Sequence, residues 1–141
     1  MLDGERYAFT VVDAQRGATG FRPQLPLVLK HHDRTVTTSG LLDTGALVNV
    51  LPYQTGVDLG AVWEEQTVPS YLTGNLARYE ARALLLEAVV GRFEQAQLIF
   101  AWTQANEVPL LLGQVNFFME FDVCFYPSEL TFEVRPRQKS P

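Results

Sequence analysis

Leu41-Leu42-Asp43-Thr44-Gly45-Ala46 sets a carboxylate between an apolar run and a turn of small residues. A charge at the end of a hydrophobic strand is costly unless it is hydrogen-bonded or shares its proton with another acid. Thr44 places a hydroxyl, and Gly45 an unshielded backbone N–H, directly beside it. The ordinary explanation is a strand that ends in an Asp-Thr-Gly turn, because Asp and Gly are common turn residues. The other explanation is a functional acid, and the rest of the chain has to decide between them.

A chain of 141 residues has the length of one domain and can bury a core. Its 47% hydrophobic and 19% charged residues belong to a globular protein. Ten glycines, eight prolines and 11% aromatic residues favour many short strands and turns. The net charge of −5 argues against a nucleic-acid partner, which would require a basic face. Cys124 is the only cysteine, so no disulfide forms within the chain, in keeping with a reducing compartment. The N-terminal stretch lacks the basic and apolar regions of a secretory signal. Apolar runs fall far short of the ~20 residues that cross a bilayer. A cytoplasmic protein without membrane contact is the expectation.

Residues 1–24 read as an arm: a strand from Tyr7 to Val12, then a Gly-containing connection through Gly17 and Gly20, loosely tied or packed outside. Leu27–Leu29 and Thr35–Thr38 read as strands around a tip at His31–Arg34, with Ser39-Gly40 breaking the second strand before Leu41. Leu47–Leu51 is strand-like, and Pro52 to Leu59 suits a short helix. Gly74-Asn75 reads as the tip of a hairpin within Ser70–Ala77. Ala81–Val90 is rich in Ala, Leu and Glu and suits a helix, yet two strands, Leu84–Val90 and Phe93–Phe100, fit as well, and periodicity does not decide. Gln114–Glu120 suits one or two helical turns. Asp122–Tyr126 and Leu130–Val134 read as strands, and 136–141 as a polar tail.

Several chemistries find no support. His31 and His32 are neighbours that should point to opposite faces of a strand end, as exposed loop residues, and no other His or Cys completes a metal site. Cys124 lies in an apolar context without a neighbouring His and reads as a buried thiol. The chain has no nucleophile-elbow, phosphate-loop or dinucleotide fingerprint.

Carboxylate chemistry remains. Leu41–Ala46, followed by Asn49-Val50-Leu51-Pro52, resembles the active-site strand and loop of the retropepsin-like aspartic proteases. About seventy residues later, Leu110-Leu111-Leu112-Gly113 resembles that family's second signature, two hydrophobic residues and a Gly ahead of a short helix. Leu72-Thr73-Gly74-Asn75 lies where the family carries its flap, and Phe117–Phe125 looks like the helix-to-strand passage of bacterial members. The order holds over 25–135, which the resemblance makes the protease domain.

The resemblance implies a mostly β fold: a closed, barrel-like half-pepsin domain with a flap hairpin and one or two short helices. It favours the strand reading of Thr67–Ala101. It implies peptide hydrolysis by two aspartates that share a proton and activate a water, with no metal or organic cofactor. Asp58-Leu59-Gly60 and Asp3-Gly4 lack the middle hydroxyl residue, so the second aspartate would be Asp43 of another copy in a symmetric homodimer. Thr44, Gly45 and Ala46 would shape the active-site loop, with Leu111, Leu112 and Gly113 supporting it from behind. Leu72, Thr73, Gly74 and Asn75 would form the flap over an extended peptide or protein substrate. Leu47, Val48 and Asn49 stand where retroviral relatives carry acids, and Gln114 where they carry Arg. The charged brace of those dimers is therefore missing, and the strand Leu130–Val134 is the candidate for replacement contacts.

Overall fold

The computed structural model describes residues 3–12, 15–16 and 20–138; Gly17 of the expected arm connection and the end of the polar tail lie outside them. In chain order the strands are β1 (Glu5–Ala8), β2 (Thr10–Val11), β3 (Phe21–Arg22), β4 (Gln24–His31), β5 (Arg34–Leu42) and β6 (Asn49–Leu51). Helix α1 (Tyr53–Asp58) and a 3-10 turn (Trp63–Glu65) precede β7 (Pro69–Ser70), β8 (Ala81–Val89), β9 (Ala96–Thr103) and β10 (Leu111–Leu112). Helix α2 (Phe117–Glu120), β11 (Phe121–Tyr126) and β12 (Thr131–Pro136) follow.

Strands β4, β5, β10, β6, β9 and β8 pair in that order, and pairing of β8 back onto β4 closes them into a six-stranded barrel. The core fills it: Leu25, Leu29, Leu86, Leu98, Phe100, Trp102 and Leu112 are all buried. Strand β8 keeps its alternation despite its helical composition. Leu84, Leu86 and Ala88 face inwards while Leu85 is exposed between them. Every residue from Ala81 to Ala88 has a partner on β9, so tertiary pairing overrides intrinsic propensity. The turn is longer than Gly91-Arg92, because Phe93 folds into the core and β9 starts only at Ala96.

Strand β5 runs straight through Ser39-Gly40 instead of breaking there. A Cβ on Gly40 would lie 2.6 Å from Leu110 Cδ2 and 2.8 Å from Leu112 Cγ, so this glycine lets the β10 segment pack closely. Gly56 sits within α1 for a related reason, since a Cβ there would run into the Trp102 indole. Trp102 also donates its Nε1–H to the Tyr53 carbonyl at 3.1 Å and stacks on the Tyr53 ring.

A second sheet has the order β1-β12-β11. The N-terminal arm is thus not loose: Glu5 to Ala8 pair with Val134 to Thr131, and Tyr7 stacks on the fully buried Phe132. Strand β12 is flanked by β11 along its length and by β1 from Thr131 to Val134.

Two side-chain expectations are corrected. Cys124 is exposed, because β11 turns Phe121 inwards and Asp122 and Cys124 out. His31 and His32 do not point apart, because His32 has a φ of 55° at the turn and brings the rings to 4.2 Å. His31 is half-buried, and its Nδ1 donates to the Leu59 carbonyl at 3.1 Å.

Candidate active site

Strand β5 ends at Leu42 and hands the chain to Asp43, whose own N–H donates to the Leu112 carbonyl at 3.0 Å. Leu41 and Leu42 pair in parallel with Leu111 and Leu112, so β10 fixes the height at which Asp43 leaves the barrel. The half-buried carboxylate accepts the Gly45 N–H through Oδ1 at 2.9 Å, and the Ala46 N–H closes the turn onto the Asp43 carbonyl at 3.1 Å. A Cβ on Gly45 would stand 3.3 Å from Oδ1, so glycine leaves that face of the acid open.

Behind the loop, β10 lies between β5 and β6, with Leu112 fully buried in the core and Leu111 turned to the other side. Gly113 meets the loop at a point where a Cβ would be 2.5 Å from the Val48 carbonyl oxygen and 2.7 Å from that of Ala46. No other residue fits there without moving the loop.

Three side-chain amides tie this crossing together, a role that the sequence pattern alone does not assign to them. Asn49 is fully buried; its Oδ1 accepts the Gly113 N–H at 2.8 Å and its Nδ2 donates to the Ile99 carbonyl at 2.9 Å. Asn116 Oδ1 accepts from Asn49 Nδ2 and from the Ile99 N–H, and its Nδ2 donates to the Gln97 carbonyl. Gln114 Nε2 donates to the Thr44 carbonyl at 2.6 Å, and its backbone N–H to the Ala46 carbonyl at 2.9 Å. The available signal was Asn49 itself. A single polar residue inside Leu47-Val48-Asn49-Val50-Leu51 must find partners if that run is buried.

In front of Asp43 opens a cleft of about 390 Å3. Asp43, Gly45, Ala46 and Leu111 line it from below, and Leu72, Thr73, Gly74, Asn75 and Leu76 from above. Among the expected site residues, Thr44, Leu112 and Gly113 lie outside its lining: Thr44 is exposed, and the other two stand behind. Its walls are otherwise apolar, with Leu47, Val50 and Pro109 contributing, and Asp43 is its only ionisable group.

The covering segment is not a two-residue hairpin tip. Strands β7 and β8 pair only at Pro69–Arg82 and Ser70–Ala81, and residues 71–80 form a longer excursion around a 3-10 turn, Gly74–Leu76. Gly74 has a φ of 62° and no neighbour near its missing Cβ. Leu72 is buried in one apolar cluster with Val50, Ala81 and Leu111, which draws the excursion down over the cleft.

Among the described residues, no cluster of three or more His, Cys, Asp or Glu could hold a metal ion, and no helix is long and apolar enough to cross a membrane.

No family model and no curated protein matches the chain. Among solved structures it is similar to a retropepsin-like aspartic protease from Rickettsia conorii, with a TM-score of 0.61 over 95% of this chain and 96% of that one. Sequence identity between the two is 16%, so the likeness is one of architecture. The closed six-stranded barrel, its few short helices and this match together make the fold retropepsin-like.

Proposed function

We propose that the chain is an aspartic endopeptidase that works as a homodimer, each copy contributing one Asp43. The observation that carries this reading is the placement of Asp43: a carboxylate held by Gly45 at the end of β5, opening on a covered apolar cleft. One chain brings one acid to that cleft, and proton-sharing chemistry needs two. Carboxylates about 3 Å apart do not both ionise, so one keeps a proton and acts as acid while the other draws a proton from a water between them. The Gly45 N–H holds one oxygen of Asp43 in place and leaves the other for the water. An extended peptide would lie beneath residues 72–76, its backbone bonding to theirs and its apolar side chains among Leu47, Leu76 and Leu111.

Incubation of the purified protein with a peptide library at mildly acidic pH tests this. Cleavage is expected from the native chain, with a loss of about 10³-fold in Asp43→Asn and block by a statine-containing peptide. Cleavage that survives Asp43→Asn refutes the assignment.

A second reading, a catalytically silent module that binds peptides or mediates assembly, is favoured by the brace at the loop. Gln114 holds Thr44 through a neutral amide within one chain, so the loop is already supported without a partner. That reading predicts a monomer at all concentrations in sedimentation, or a dimer whose Asp43 carboxylates stand apart.

A further inference from the structure

Beyond the cleft, a chain of polar contacts joins the covering segment to a fixed part of the barrel. Arg78 Nη1 donates to the Asn75 carbonyl at 3.2 Å and its Nη2 to the Tyr79 hydroxyl oxygen at 2.7 Å. The Tyr79 hydroxyl in turn donates to Glu107 Oε1 at 2.8 Å. The Arg78 guanidinium also lies over the Tyr79 ring, 4.6 Å from its centroid.

The two ends of this chain differ in how firmly they are held. Glu107 belongs to the connection between β9 and β10, which α1 pins from one side. The Tyr53 N–H donates to the Ala105 carbonyl at 3.1 Å and the Gln54 N–H to Asn106 Oδ1 at 2.9 Å. On the other side, Val108 is buried with Val50 and Leu111. Residues 71–80, by contrast, hold their shape through short-range bonds of the 3-10 turn, the burial of Leu72, and the packing of half-buried Leu76 and Tyr79 on the same cluster. Tyr71 is 80% exposed and Gly74 stands in open space. Glu107 is therefore the post, and Tyr79 the tether.

We infer that Glu107 is a positioning residue: through Tyr79 it sets how closely residues 72–76 lie over Asp43, adding to the hold that Leu72, Leu76 and the Tyr79 ring have on the apolar cluster beneath. A hydroxyl-to-carboxylate bond is stronger than a neutral one, yet this one is exposed, and water competes for both partners. Such a tether biases the segment by a modest factor without locking it, as a cover that must open requires. Its consequence for peptide binding rests on the protease reading; the tether itself does not.

Hydrogen exchange on the full chain separates the two. Tyr79→Phe and Glu107→Ala should each speed exchange of the Leu76, Ala77 and Tyr79 amides by about three- to tenfold. The double variant should exchange no faster than either single one. Glu107→Gln keeps an acceptor oxygen and should restore most of the protection. Amides of β8 and β9 should stay unchanged throughout. Unchanged exchange at residues 76–79 in Tyr79→Phe, additive effects in the double variant, or loosening that spreads into β8 and β9 would each overturn the inference. If the native chain cleaves peptides, the same variants raise KM several-fold with little change in kcat. If it does not, the exchange pattern still stands and the protease reading alone falls.

Discussion

At the scale of single residues, the site depends on a few positions where no substitute fits. Asn49 satisfies a backbone N–H and a carbonyl that the barrel leaves facing each other across the crossing of β10. Replacing it with Ala strands both groups, at a cost of roughly 2–3 kcal/mol. A thermal melt should register this as a fall in Tm of about 5–10 °C; a fall within error would mean that water takes over the amide's role. Gly113→Ala forces a methyl against the Val48 and Ala46 carbonyls. It should destabilise the chain by roughly 1–3 kcal/mol and displace the loop that carries Asp43, so activity should fall further than stability. Gln114→Ala gives a useful contrast. Its bond to Thr44 is exposed, so stability should barely change in the same melt while the loop loses its brace.

At the scale of elements, the proposed tether should make the excursion over the cleft respond to pH through Glu107. Its carboxyl is held below the ordinary glutamate range, first by the Tyr79 hydroxyl, then by nearby backbone N–H groups, with Arg78 adding a smaller attraction. A lowered value means that the bond contributes fully above the ordinary glutamate range and is lost as pH falls through the lowered one. Carbon NMR of the Glu107 carboxyl should therefore titrate below a typical glutamate, and Tyr79→Phe should move it back up.

The two flanking signatures, Leu41–Ala46 and Leu110–Gly113, are legible in the sequence because each combines a strand end with a glycine: Gly113 is required by the close crossing, and Gly45 leaves one side of Asp43 open. The barrel follows from them and from the period-two burial of β8, which composition alone conceals. The excursion at 71–80 is less legible. Gly74-Asn75 looks like a hairpin tip, but the burial of Leu72 in one cluster with Val50 and Leu111, residues distant in sequence, decides its path. Cys124 and the histidine pair depart from expectation for a similar reason: the facing of β11 and the left-handed backbone of His32 decide where they point.

At the scale of the whole molecule, the second sheet ties the chain's two ends to each other. β1 covers one edge of β12 and β11 the other, with Tyr7 stacked on Phe132. Deleting residues 1–8 should uncover the Phe132 face, lower Tm and promote aggregation, as a melt and light scattering would show. Because β1 and β11 occupy the two edges of β12 at Thr131–Val134, a second copy that paired its backbone there would have to displace one of them. The exposed loop at Thr44 and Gly45, with exposed Leu47 and Val115 beside it, is the surface next to Asp43. If two copies make one site, the rate of peptide cleavage per chain must depend on concentration as the protein is diluted. We expect that rate to rise with concentration to a plateau, in step with dimer formed in sedimentation, and to fall when excess Asp43→Asn chain is mixed in. A rate per chain that stays constant down to fully monomeric protein, or that ignores the added Asp43→Asn chain, would contradict it.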